Sequence, residues 1–76
     1  NSRITFGATV KITDLSSDET HTYTIVGADE SDIEKNLISI SAPLGRAMIN
    51  KTINDVIEVT TPGGLKEYQI NSIKYS

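Results

Sequence analysis

The stretch LISISAPLGRAMIN, residues 37–50, changes its hydrophobic period at Pro43. Residues 37–40 favour a short strand, and three apolar residues then recur at the spacing of one helical face: Leu44, Ala47 and Met48. Pro43 suits the first helical position, where its missing N–H is not needed. Gly45 inside the helix is expected to cost about 1 kcal/mol relative to alanine. Asn50 predicts a left-handed residue at the helix end.

Upstream of this stretch, two alternating segments rich in β-branched residues predict a β-hairpin. Residues 8–13 and 20–26 alternate apolar and polar side chains, and the sequence DLSSDE between them is typical of a turn. The side chains expected on the core face are Ala8, Val10, Ile12, Tyr23 and Ile25. His21 is assigned to the polar face. Ile33, the one large apolar residue of the polar stretch 27–36, is expected to be buried.

Downstream, two further strands complete the predicted sheet. Residues 56–60 follow a tight turn at Asn54-Asp55, and residues 65–75 follow the turn TPGG at 61–64. The apolar phase shifts within the last strand, which predicts a bulge near Asn71-Ser72. The sum is an α+β domain in which a curved antiparallel sheet of four to five strands packs around one short α-helix.

The composition sets limits on function. The chain has 76 residues, room for one domain spanning 1–76, and it has no cysteine for a disulfide, a zinc site or a nucleophile. A net charge of −3 gives little hold on a nucleic-acid backbone, so little direct nucleic-acid binding is expected. No apolar run approaches a membrane span, and a cytoplasmic location is expected. Asn1 in place of methionine predicts a fragment or a processed product.

No catalytic or metal-binding constellation is visible. His21 is the only histidine and lacks support for a triad. The acidic stretch 29–34 lacks the glycine and spacing of a calcium loop, and Gly63-Gly64 lacks the lysine of a phosphate loop. The sequence therefore predicts a binding or structural module, not an enzyme, with no metal and no cofactor. Pro43 and Leu44 are open between two roles, core packing and an exposed docking knob.

Five motifs occur in a characteristic order. They are FGATV at 6–10, YTIVG at 23–27 with Asp29-Glu30, ISAPLGRAMINK at 40–51, TPGG at 61–64 and IKY at 73–75. This order, from Ile4 to Tyr75, resembles the C-terminal domain of the bacterial Gre (GreA/GreB) transcript-cleavage factors. The family usually has serine at Ala42, alanine at Gly45, and glycine at Asn50 and Asn54. Asparagine is the least costly replacement for glycine where φ is positive, whereas Ala42 cannot cap a helix.

The resemblance implies a fold similar to the FK506-binding proteins (FKBP-like) and a role in transcription. In Gre factors an N-terminal coiled coil, absent from this chain, carries the acidic tip that helps hold magnesium in the polymerase. The C-terminal domain docks on the rim of the secondary channel of RNA polymerase. Carried over by position, the docking residues are Ser41, Ala42, Pro43, Leu44 and Arg46. A monomer that contacts bacterial RNA polymerase is expected.

Two other functions are compatible with this resemblance. One is a Gre-like regulator that competes for the secondary channel without promoting RNA cleavage. The other is a peptidyl-prolyl isomerase of the FK506-binding-protein type, which requires a cavity lined by aromatic side chains. The chain has only four aromatic residues, Phe6, Tyr23, Tyr68 and Tyr75, so the isomerase is the weaker alternative.

Overall fold

A computed structural model describes residues 3–75 as a five-stranded sheet with one short helix. The elements are β1 (Thr9–Asp14), β2 (Thr20–Val26), β3 (Leu37–Ser39), α1 (Pro43–Met48), β4 (Val56–Thr61) and β5 (Gly64–Lys74). The strand order in the sheet is β3-β2-β1-β5-β4. The α+β class and the position of the helix between two strands are confirmed.

The sheet is mixed, because one edge strand is parallel to its neighbour. β3 pairs with β2 in parallel, with Ile25 opposite Ile38, whereas every other pair is antiparallel. Between these strands the chain crosses back through two short 3₁₀ turns, Ala28–Glu30 and Ile33–Lys35. β3 therefore enters the sheet in the same direction as β2. The expectation of a purely antiparallel sheet is corrected at this edge.

The β1–β2 hairpin places its side chains largely as expected. Ala8, Val10, Ile12 and Ile25 are fully buried, and the partly buried Tyr23 packs against them. His21 was assigned to the polar face, which is wrong. It lies two residues from Tyr23 and therefore shares its face, and the two rings stack with centroids 6.1 Å apart.

A β-bulge in β5 keeps two apolar side chains on the core side of the sheet. Lys11 pairs with Ser72 and Ile12 pairs with Ile70, so Asn71 is the extra residue. Ile70 is fully buried, and Ile73 packs against the core from the other side of the bulge. The bulge predicted near Asn71-Ser72 is confirmed.

Asparagine, aspartate and glycine occupy the turn positions with positive φ. Asn50 follows the helix at φ 69°, and Asn54 precedes β4 at φ 76°. Both are positions where the related family usually has glycine, and the left-handed conformation explains that preference. In the β4–β5 turn the positive φ, 119°, falls on Gly64.

Ile33 is 67% exposed, so the expectation that it is buried is wrong. The turn around it closes on itself. The Asp32 carboxylate accepts a hydrogen bond from the Glu34 N–H at 3.1 Å, and Asn36 ends the turn in the left-handed region at φ 60°. Because the hydrogen-bonding groups of the local backbone have partners within the turn, the turn holds its shape without burying Ile33.

The core lies between the sheet and α1. Its fully or nearly fully buried members are Ile4, Ala8, Val10, Ile12, Ile25, Ile38, Met48, Ile57, Val59 and Ile70. The helix contacts β3 and β4, the two edges of the sheet, so the sheet curves around it. Outside this core, the Tyr75 hydroxyl donates to the Arg3 carbonyl oxygen at 2.6 Å and accepts from the Thr5 N–H at 3.1 Å.

A buried carboxylate anchors the turn between β1 and β2. Asp14 is only 3% exposed, and its Oδ1 accepts hydrogen bonds from the backbone N–H and the hydroxyl of Ser16. Its Oδ2 lies 3.3 Å from the Lys66 ammonium on β5. The Ser16 N–H, followed by the Ser16 hydroxyl and Lys66, holds the pKa of the Asp14 carboxyl well below its ordinary value of 3.8.

Replacing Ile57 by alanine tests the core. Ile57 is 2% exposed, so Ile57→Ala is expected to leave a cavity and lower the free energy of unfolding by about 2–5 kcal/mol. Urea denaturation measures the loss. Leu65→Ala, at a position 63% exposed, is the matched control and is expected to change stability by less than about 0.5 kcal/mol. Equal effects of the two substitutions would contradict this core.

Replacing Asp14 by asparagine tests the buried carboxylate. Because its pKa is depressed in the folded state, Asp14 stabilises the fold above pH 3.8, and this contribution is lost as the pH falls below that value. The stability difference between wild type and Asp14→Asn is therefore expected to be largest at neutral pH and to shrink in acid. Urea denaturation at pH 7, 4 and 2.5 measures it, with Asp29→Asn at an exposed position as the control for one carboxylate charge removed.

Candidate functional site

The segment that joins β3 to α1 forms a hydrogen-bonded turn. The Ser39 hydroxyl lies 2.8 Å from the Ser41 hydroxyl and accepts the Ser41 N–H at 3.1 Å, while the Ser39 carbonyl accepts the Ala42 N–H. Ile40 donates its N–H to Val26 on β2 at 2.8 Å. These bonds fix the backbone of residues 39–42 before the helix starts.

The helix begins without a side-chain cap, as the alanine at its N-cap predicts. Ala42 has extended φ and ψ, and no side chain bonds the first helical N–H groups. Pro43 occupies the first turn, where its φ is already helical and no N–H is lost. The Ala42 carbonyl accepts the Arg46 N–H at 2.8 Å, which closes the first turn.

The five residues predicted for the site divide into two groups. Ser41, Pro43 and Arg46 are exposed and form the outer surface of the turn. Ala42 and Leu44 are partly buried and pack against the core. Of the two residues that the sequence left open, Leu44 is therefore a packing residue and Pro43 is an exposed one.

Gly45 allows the helix to approach the sheet closely. It is buried, and a Cβ atom built on it would overlap the carbonyl oxygen of Ser39 on β3. A side chain at this position thus requires the helix or the strand to move. The close approach gives glycine a reason to be at this position despite its low helix propensity.

Charges near the turn are basic and unpaired. Within residues 3–75, the ion pairs are Lys66 with Asp14 and His21 with Glu19, so Arg46 has no acidic partner in this part of the chain. The first turn of α1 contains no acidic residue. The exposed surface of the turn therefore combines a proline ring, a serine and one free guanidinium group.

A depression of about 350 Å³ lies between the C-terminal half of α1 and the strands β4 and β5. It is lined by Ala47, Lys51, Val56, Ile57, Glu58 and Glu67. None of these residues was singled out as a site from the sequence. A signal was nevertheless present: Glu58 and Glu67 are equidistant from the Pro62-Gly63 turn, so a two-residue hairpin places them opposite each other.

Other candidate chemistry is not assembled in the described residues. No group of three or more histidine, aspartate or glutamate side chains is placed to hold a metal ion within residues 3–75. His21 stacks on Tyr23 and lies 4.0 Å from Glu19, which is an exposed carboxylate. No helix among these residues is long and apolar enough to cross a membrane.

The fold and the exposed turn define a small α+β domain that presents a hydrogen-bonded turn at the start of its helix. A family model described as "Transcription elongation factor, GreA/GreB, C-term" matches residues 1–75. Curated proteins named transcription elongation factor GreA are similar along the chain. The sequence from Buchnera aphidicola (strain Tuc7) is 53% identical over 75 residues, and that from Maricaulis maris is 51% identical over 72.

Solved structures agree with this similarity. The structure of the transcription factor Gfh1 covers 96% of this chain with a TM-score of 0.87 at 27% identity, although the match spans only 48% of that protein. A prokaryotic elongation factor GreA/GreB from Nitrosomonas europaea covers 97% of the chain, and 62% of its own, with a TM-score of 0.81 at 32% identity. The chain belongs to the GreA/GreB transcription elongation factor family, in its C-terminal domain. It spans about half the length of the curated relatives that it matches.

Replacing Gly45 by alanine tests the close packing of α1. Because the added Cβ meets backbone atoms of Ser39, Gly45→Ala is expected to lower the free energy of unfolding by about 1–3 kcal/mol despite the better helix propensity of alanine. Chemical denaturation measures the change. Gly27→Ala is the matched control, since its Cβ would meet no atom closer than 3.8 Å. A more stable Gly45→Ala variant would show that the helix is free to move.

Proposed function

We propose that this chain is the RNA-polymerase-docking domain of a bacterial, GreA-like transcription elongation factor. The whole factor rescues backtracked complexes by promoting RNA cleavage by the polymerase. This domain adds affinity at the rim of the secondary channel and is not itself an enzyme. It acts in the cytoplasm as a monomer, beside the polymerase.

The observation that carries this proposal is the exposed, fixed turn at Ser41 and Pro43 in a chain of the Gre family. The Ser41 N–H and hydroxyl are both engaged by Ser39, which favours one shape of the turn before binding. A preformed surface loses little conformational entropy on binding. Arg46, exposed one turn farther along the helix, adds a cation that an acidic side chain of a partner can pair with.

The packing of the site supports a different part in docking for each group of its residues. Ser41, Pro43 and Arg46 contact the polymerase directly. Ala42 and Leu44 hold the turn on the core, so their replacement acts through the shape of the surface. The ring of Pro43 supplies an apolar contact of fixed geometry at the centre.

The second candidate function assigns the same docking domain to a different kind of parent protein. A Gre-like regulator that occupies the secondary channel without promoting cleavage would carry the same docking domain. The similarity to Gfh1, a GreA factor homologue by the description of its structure, supports this candidate. The higher identity to proteins named GreA favours the cleavage factor.

The isomerase alternative receives no support from the arrangement of the aromatic side chains. Phe6 and Tyr75 are 57% and 51% exposed, while Tyr23 and Tyr68 pack against the core. The depression beside α1 is lined by no aromatic side chain. We therefore assign this chain a binding role.

Binding of the 76-residue chain to RNA polymerase core enzyme tests the proposal. The double variant Pro43→Ala with Ser41→Arg removes the apolar contact and adds a bulky charge, and a roughly 10-fold or larger rise in Kd is expected. Both side chains are exposed and residue 41 keeps its backbone N–H bond to Ser39, so the thermal midpoint of unfolding is expected to change little. Thr22→Arg, on an exposed position of β2, is the control for an added arginine.

Three results would count against the proposal. They are a wild-type chain that does not bind polymerase, a double variant that binds as tightly as the control, and RNA cleavage restored in a stalled complex by this chain alone. The last result would place the chemistry in this domain. The expected outcome is weak binding without stimulation of cleavage.

A further inference from the structure

Two glutamates face each other across the β4–β5 hairpin. Glu58 and Glu67 are directly paired in the strand register, and both are exposed. Like charges in such a cross-strand pair destabilise the sheet. Neither carboxylate forms an ion pair with any residue of the described range 3–75. No cation of the described chain therefore compensates the two negative charges of this pair.

The two glutamates line a depression together with apolar residues. Ala47, Val56 and Ile57 line the same 350 Å³ space as Glu58 and Glu67. Val56 is 50% exposed, which leaves apolar surface open beside two carboxylates. This combination is complementary to a side chain with an apolar stem and a cationic head, as in arginine or lysine.

The depression and the proposed docking turn are both bordered by residues of α1. Ala47 lies four residues after Pro43 and therefore on the same side of α1. A protein that contacts Ser41 and Pro43 thus has the depression within about one helical turn, roughly 5 Å, of its first contact.

We propose that this depression binds a basic side chain of the protein partner that docks at Ser41 and Pro43, an inference that rests on the proposed function. The aliphatic stem lies on Ala47 and Val56, and the cationic head bridges Glu58 and Glu67. Binding replaces the repulsion between the two carboxylates by two charge-assisted contacts. The free hairpin has two uncompensated negative charges, and the complex gains electrostatic stabilisation when the cation binds between them.

Lys51 gives the proposal a second, opposite prediction. It lines the helix side of the depression, and its ammonium forms no ion pair within residues 3–75. A basic occupant is repelled by Lys51 and attracted by the glutamates. Removing the lysine charge therefore tightens binding, whereas removing the glutamate charges weakens it. An acidic occupant, including a nucleic-acid phosphate, reverses both signs.

Charge-neutral variants of the 76-residue chain test this inference against RNA polymerase core enzyme free of nucleic acid. Glu58→Gln with Glu67→Gln is expected to raise Kd about 5- to 20-fold and to weaken its dependence on salt. Lys51→Gln is expected to lower Kd about 2- to 3-fold. Glu19→Gln with Glu34→Gln, and Lys35→Gln, remove the same charges from exposed sites outside the depression and are expected to leave Kd nearly unchanged.

Thermal unfolding of the same variants separates this role from a structural one. Removing the repulsion is expected to raise the melting temperature of the Glu58→Gln, Glu67→Gln variant by about 1–4 °C while its affinity falls. A variant that loses stability together with affinity would assign the glutamates to the fold and overturn the inference. Tighter binding by the glutamate variant, or unchanged binding, would overturn it as well.

The outcomes also distinguish this inference from the proposed function. If Pro43→Ala with Ser41→Arg weakens binding and the glutamate variant does not, the docking role stands, and the inference that the depression binds a basic side chain is wrong. If the wild-type chain does not bind polymerase at all, the docking role fails, and the inference falls with it.

Discussion

The contact between Gly45 and the carbonyl oxygen of Ser39 sets the position of everything that we assign to function. Because glycine leaves no Cβ in the way, α1 starts directly against the last residue of β3. That approach buries Met48 over the sheet and turns Ser41, Pro43 and Arg46 outward. It also fixes where the other end of the helix meets β4, and hence the shape of the depression beside Glu58. A shift of the helix would alter both surfaces together.

Local features of the fold could be predicted from the sequence because they depend on neighbours in the chain. The β1–β2 hairpin, the bulge at Asn71 and the left-handed Asn50 follow from alternation, phase and turn chemistry. The parallel direction of β3 could not be predicted in this way, because alternation is the same in either direction. Ile33 shows a related limit, since its turn is satisfied by its own hydrogen bonds and does not need the side chain inside.

The candidate site was predicted only in part, and its location came from the family resemblance. Helical spacing left Leu44 and Pro43 open between core packing and docking, because the exposure of each depends on how the helix sits on the sheet. The need for glycine at position 45 could not be predicted from the sequence either, because the atom that excludes a Cβ there belongs to another element, β3. The pairing of Glu58 with Glu67 could have been predicted from the sequence, because the register of a hairpin follows from its turn.

The hydroxyl of Tyr75 brings the two ends of the described chain to one corner of the domain, within 2.6 Å of the carbonyl oxygen of Arg3. A short peptide linker could therefore join these ends into a closed ring with little strain. Opening that ring at Pro62-Gly63 would yield a circular permutant with the same native contacts. Its β4–β5 pairing would then join the most distant parts of the chain, whereas its β1–β5 pairing would become local, so the strands would pair in a different order on the way to the same architecture.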